Sequence, residues 1–344
     1  MTGPSYKAGD VFLLFQELHY DFHSGEPPIE ILENLYFDET PSELLNPPLK
    51  LLDSKRLSSP SGVRDLLEYA GWVNYVLPGH NLTDGKIVHC CLRYDSGKTN
   101  QYPDFGHSAL FATFITALRL QKPCSIQVGG IFTFGGDDEP IQHPALWNLT
   151  SPDILTDGSS YSQKDIQISS NIAKELLEIS QSGEENRIKS ALIYFSQVTQ
   201  GFSKSLQLSY LGLWASLEAI FQPTVNKAET LARRITAYLS PFSLPHFSSP
   251  QDMGKWLKNE YIHRRSRFIH GSYIALPKLQ NVIKGHVAFP KLHEITRLCL
   301  LGFLSLEKSK RKQILQQKGN QLQHTLDNLG QAQGKYLDQQ KIYL

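Results

Sequence analysis

The apolar residues of this chain change their spacing partway along, and that change constrains the fold more than any other feature. Up to about residue 160 they come in short runs bounded by turn residues. Beyond that point they recur at helical spacing over about 165–181, 185–201, 204–222, 227–240, 252–270 and 290–310. Ser240-Pro241 and the Pro245–Pro250 stretch separate the fourth segment from the fifth. Gly271 stands where a glycine just past a helix end would close the fifth. The expectation is an all-α bundle over 165–310, within the usual size of a domain.

The first part, 1–160, reads as an α+β domain. Asp10–Leu18, Lys86–Tyr94 and Ser125–Phe134 carry strand-like runs. One helix is predicted over His107–Gln121, with Leu110, Phe114, Ala117 and Leu118 on one face and Pro123 beyond its end. Glu26-Pro27-Pro28 and Asn46-Pro47-Pro48 read as loops, and Ser151–Gln163 as a linker. From about Leu306 the chain turns polar, giving a helical tail over 311–344. There Leu315, Leu322, Leu329, Tyr336 and Tyr343 recur every seventh residue, while Gly319, Gly330 and Gly334 interrupt them. A seam for a paired helix and a loosely docked helix are both open.

Of the 344 residues, 40% are apolar and 19% charged, enough to bury a core. A net charge of +1 excludes nucleic-acid binding by bulk charge, so any such binding must come from a local patch. The start, MTGPSYKAGD, lacks a signal-peptide pattern, and no apolar run approaches the ~18 residues of a membrane span. A cytoplasmic protein with no membrane partner is expected, with its sequons at Asn81 and Asn148 accidental. Cys90, Cys91, Cys124 and Cys299 form no metal-binding pattern and read as reduced, buried thiols.

Against this neutral background, His263, Arg264, Arg265, Arg267 and His270 crowd into eight residues at a predicted helix end. Such a cluster suits a phosphate-bearing partner, and the imidazole adds a group that moves protons near neutral pH. Residues five apart on an α-helix are separated by about 140° and roughly 7.5 Å of rise, so Arg265 and His270 do not share a face. The length of arginine and the turn at Gly271 still allow both heads to reach one ligand. The helix C-terminus favours a protonated His270, whereas the arginines oppose it. The plain structural reading is a surface cation cluster paired with acids such as Glu260.

Three separated motifs resemble the Apea-like branch of the HEPN superfamily. The first is Leu211-Gly212-Leu213-Trp214-Ala215-Ser216-Leu217-Glu218-Ala219-Ile220-Phe221, and the second Leu231-Ala232-Arg233-Arg234-Ile235-Thr236-Ala237-Tyr238-Leu239. The third is Arg265-Ser266-Arg267-Phe268-Ile269-His270-Gly271, similar to the family's Arg-x4-His-Gly pattern. The usual tyrosine before the motif arginine is displaced, with Tyr261 four positions upstream. The resemblance covers roughly 185–310 and implies a HEPN-like helical bundle that forms a homodimer. It further implies a metal-independent endoribonuclease without cofactor, in which the RNA 2′-hydroxyl attacks the adjacent phosphodiester. In that scheme His270 transfers protons, Arg265 neutralises the transition state, and Ser266 binds phosphate or orients the pair. Arg264 and Arg267 are implied to contact the RNA backbone. By analogy the setting is prokaryotic antiviral defence or a toxin-like response, with a second protein or ligand engaging the N-terminal domain. The alternative is a non-catalytic RNA-binding or dimerising module.

Glu218 lies in an otherwise apolar helical run and needs a partner. It either orients Arg265 or His270, or forms a structural bridge to Arg233 or Arg234; the second is the stronger expectation. Trp214 and Phe221 read as core on the same helix. His19 and His23, and the acids of Gly135-Gly136-Asp137-Asp138-Glu139-Pro140, are discounted as metal sites. Tyr36, Phe37, Trp72, Tyr75, Phe132 and Phe134 are either core or platforms for unpaired bases.

Overall fold

A computed structural model describes residues 7–18, 20–21, 24–25, 27–41, 82–83, 86–87, 90–122, 126–134, 140–143, 160–183, 186–199, 206–240, 244, 246–269 and 288–329. The chain divides into two compact units, and the division falls inside two helices. The first unit comprises Met1–Ile115, Cys124–Thr150 and Gly158–Asn171; the second comprises Thr116–Pro123, Ser151–Asp157 and Ile172–Leu344.

The first unit is built on an antiparallel sheet. Its strands are β1 (Val11–Glu17), β2 (Ile29–Leu32), β3 (Leu35–Glu39), β6 (Cys90–Tyr94), β7 (Gln127–Phe134) and β8 (Pro140–His143), in the order β2-β3-β6-β1-β7-β8. A separate two-residue ladder joins β4 (Leu82–Thr83) to β5 (Lys86–Ile87). The unbroken apolar run Val11–Phe15 is explained by β1 being a central strand, buried on both faces between β6 and β7. On one face Phe12 and Leu14 pack with Cys91 and Phe132. On the other, the Phe15 ring lies 6.3 Å from Phe37, which in turn meets Tyr20 at 5.0 Å. Leu14 pairs with Gly130 and Phe15 with Val128, so Gly129 is an extra residue that bulges β7.

The helix α1 spans His107–Gln121, as its spacing predicts. Then come α2 (Gln163–Gln181), α3 (Asn186–Thr199), α4 (Leu206–Phe221) and α5 (Lys227–Leu239). Next, α6 (Pro250–Glu260) runs through a π-helical turn, Tyr261–Arg265, into the short α7 (Ser266–Ile269). The series closes with α8 (Ala288–Ser305), α9 (Lys308–Gln316) and α10 (Gly319–Asn328).

In the second unit α3 and α4 lie close together. A Cβ added at Gly212 would clash with the Val198 side chain, so glycine permits the approach. Trp214 and Phe221 are core residues of α4. The central helix, α8, is buried nearly all round. It carries an internal pair, Arg297 to Glu294 at 2.6 Å, and Arg297 also donates to the carbonyls of Leu120 and Gln121.

The polar tail continues this unit as far as Leu329, because Ile314, Leu315, Leu322 and Leu326 are buried. Arg234 donates to the Gly319 carbonyl at 2.7 Å and Arg187 to that of Gln317 at 3.1 Å, tying the tail down. Residues 330–344 lie outside the described set.

Phe37 and Phe132 are core, and Tyr36 is covered by the cations of Arg93 and Lys98 at 4.6 and 4.8 Å. Cys90, Cys91 and Cys299 are buried free thiols. Cys124, His19, His23, residues 135–139, both sequon asparagines, Trp72, Tyr75 and the Phe134 side chain lie outside the described residues. No helix among the described residues is long and apolar enough to cross a membrane.

Candidate functional site

The cation cluster sits on the helix that begins at Pro250, and its start is well specified. Ser249 caps it, its hydroxyl accepting from the Asp252 backbone N–H at 3.1 Å, with Pro250 at the first helical position. The Asp252 carboxylate reaches back to the Ser248 backbone N–H at 3.2 Å. Eleven residues later the helix widens. The Ser266 N–H bonds to the Tyr261 carbonyl, an i→i+5 link that inserts an additional residue into the turn.

That widened turn faces α4, on which Tyr210, Trp214 and Glu218 stand four apart and share a face. Each meets a partner. The Tyr210 hydroxyl donates to Glu260 Oε2 at 2.8 Å. The Trp214 ring meets Tyr261 edge-on, centroids 5.3 Å apart. Glu218 takes Arg265, whose Nη2 lies 2.8 Å from Oε1 and donates to Oε2 at 3.0 Å. The Arg265 guanidinium also lies over the Tyr261 ring, 4.8 Å from its centroid. Arg264, the neighbouring residue, turns instead to Glu260 of its own helix, at 2.7 Å. Two consecutive arginines are thus held by different carboxylates.

Burial and charge shape this network. Burial, then the nearby Glu218 carboxylate, raise the Tyr261 phenol to about 12 against the opposing pull of Arg265. The hydroxyl has no well-formed hydrogen bond among the described residues, although Glu218 is close enough to influence it. Burial and Glu260 likewise push the Tyr210 phenol well up. The side chains of Arg265 and Glu218 are 20% and 21% exposed. The pair therefore keeps an edge in water rather than lying sealed in the core.

Of the two sequence expectations for Glu218, pairing with Arg265 is observed and the favoured bridge to Arg233 or Arg234 needs correction. Glu218 does not bridge to Arg233 or Arg234, because those face the tail and the carbonyl end of α4. Arg233 donates to Gln323 at 3.1 Å. Arg234 donates to the Phe221 and Gln222 carbonyls, at the end of α4 where carbonyls lack internal partners, and to the Gly319 carbonyl. Of the other expected site residues, Arg267 is exposed and Ser266 partly so, while Arg264 is engaged by Glu260. His270 and Gly271 lie outside the described residues. Tyr210 and Glu260 were not singled out together from the sequence; the four-residue spacing of Tyr210, Trp214 and Glu218 was the available signal. Tyr261, displaced in the motif, is one turn before Arg265 and forms the floor beneath its guanidinium.

No family model, no curated protein and no solved structure matches the chain. The HEPN resemblance is therefore carried by its three motifs alone. The first two fall on α4 and α5, and the described part of the third, Arg265–Ile269, on the end of the helix that starts at Pro250.

Proposed function

We propose that the chain is a metal-independent endoribonuclease of the HEPN type, cleaving single-stranded RNA as a cytoplasmic homodimer joined through its helical unit. Prokaryotic defence or a toxin-like response is its setting in this reading. The observation that supports it is the state of Arg265. Its guanidinium is held from the side by Glu218 and from below by Tyr261, yet keeps a solvent-facing edge, five residues before His270. An arginine fixed in this way needs little reorganisation to meet charge that develops on a phosphate.

In the reaction the 2′-oxygen gives its proton to a base and forms a bond to phosphorus. The bond from phosphorus to the 5′-oxygen then breaks, and that oxygen takes up a proton. The products are a 2′,3′-cyclic phosphate and a 5′-hydroxyl. His270 serves the proton transfers, Arg265 neutralises the equatorial oxygens, and Ser266 binds phosphate or orients the pair.

One observation favours a second reading. Arg265 already has a carboxylate partner, so the pair also fits a non-catalytic RNA-binding or dimerising module. The test is cleavage of labelled single-stranded RNA in EDTA by wild type, Arg265→Ala and His270→Ala. Cutting by wild type that both substitutions abolish, with the fold retained, supports the nuclease. RNA binding without cutting supports the module.

A further inference from the structure

We infer that the outer face of the helix Pro250–Ile269 is a track for the phosphate backbone of a single-stranded RNA, formed by Lys255, His263 and Arg267. The inference rests on the proposed nuclease reading and extends its site lengthwise along the helix. Met253, Leu257 and Tyr261 are buried and, with Arg265, recur every fourth residue as the inner row. Lys255, Asn259, His263 and Arg267 each lie two residues further on, about 200° round the helix, and all four are exposed. Rows of every fourth residue run close to the axis of an α-helix, drifting slowly around it. The widened turn at Tyr261–Arg265 counters that drift, so the outer row stays on one side.

Pairing separates these cations from their neighbours. Arg264 is taken by Glu260 and Lys258 by Glu229. Of the two acids on this helix, Asp252 is engaged with Ser248 and the helix start, and Glu260 with Tyr210 and Arg264. Lys255, His263 and Arg267 form no ion pair among the described residues, and all three project into water. From Lys255 to Arg267 is about 18 Å along the axis, the length of about five nucleotides stacked at ~3.4 Å each.

A single strand fits this face better than a smooth anionic surface. Ile262, 41% exposed and adjacent to His263 in the chain, offers apolar contact to an unpaired base. His263 adds an imidazole ring on which a base can stack. Arg264, implied as a backbone contact by the family pattern, is replaced in this role by Lys255 and His263.

The experiment is equilibrium binding of a short 2′-O-methyl oligouridylate, which resists cleavage, measured over a range of salt. Each of Lys255→Gln and Arg267→Gln should lower the slope of log affinity against log salt by about 0.7, the value for one lost phosphate contact on a single strand. His263→Ala should weaken binding by about tenfold through the lost stacking. Binding and slope unchanged in all three variants, with RNA cleavage by wild type intact, would overturn the track and leave the nuclease reading standing. A wild type that neither binds the analogue nor cleaves RNA would remove both. Equal displacement of the analogue by polyglutamate would overturn the track in favour of an acidic polypeptide partner.

Discussion

Glu218 and Arg265, 47 positions apart, meet at 2.8 Å with about a fifth of each side chain still in water. Neither limiting case describes this pair. A fully exposed pair contributes little, and breaking a sealed one leaves a charge stranded in the core. Glu218→Gln keeps the shape and removes the charge that holds Arg265. In the nuclease account its cleavage rate falls by about tenfold or more through loss of positioning. Its thermal midpoint should drop by only a few degrees, in keeping with a pair that keeps an edge in water. Cleavage assays and thermal melts on the same preparation check the split.

Tyr261 supplies a ring beneath Arg265 and an edge-on contact to Trp214. Tyr261→Phe retains both and removes a hydroxyl that lacks a well-formed hydrogen bond, so stability and cleavage should stay near wild type. Tyr261→Leu loses the cation–π contact, about 0.5–2 kcal/mol, and the aromatic pair with it. Melting curves should rank wild type and Phe together, with Leu clearly below.

His293 is buried on α8 between Phe195 at 5.2 Å and Phe289 at 6.3 Å, with no hydrogen-bond partner for either ring nitrogen among the described residues. Burial, with Arg297 and Arg119 nearby, lowers its pKa to about 3. Below about pH 6.5 the unfolded chain takes up a proton that the folded chain refuses. Stability contributed by the neutral ring is complete above that pH and is lost as pH falls toward about 3. The slope is up to ~1.4 kcal/mol per pH unit. In His293→Phe this contribution to the slope should vanish, as read from denaturant unfolding between pH 4 and 7.

Arg234 holds three carbonyls, those of Phe221 and Gln222 at the end of α4 and that of Gly319 at the start of α10. Arg234→Met would leave them without this donor, at about 1–3 kcal/mol for each group that stays buried. Amide exchange over Gly319–Asn328 should accelerate more than exchange over α8. Equal acceleration in both would show that the tail is not separately anchored.

Much of the architecture was legible in the sequence, and the reasons are local. The α1 range, His107–Gln121, follows from apolar spacing and the proline beyond it. The strand β1 follows from its run of large apolar residues. The hairpin β2–β3 was not read, because Ile29–Glu39 interleaves acids with apolar residues and turns at Glu33-Asn34 without a glycine. The π turn left no mark in composition, since one inserted residue shows only in the i→i+5 bond it makes. Of the two partners open to Glu218, the favoured one was the wrong one for a related reason. Arg233, Arg234 and Arg265 are equivalent as charges in a sequence, and only tertiary packing selects among them.

In the proposed reaction Arg265 and His270 serve an attack by the RNA's own 2′-hydroxyl. The most direct measurement compares a single-stranded RNA with the same sequence methylated at every 2′-oxygen, with EDTA present and product ends read by mass spectrometry. The account predicts cutting of the first into 2′,3′-cyclic phosphate and 5′-hydroxyl ends, and none of the second. Cutting of both substrates, or ends carrying a 5′-phosphate, would contradict it.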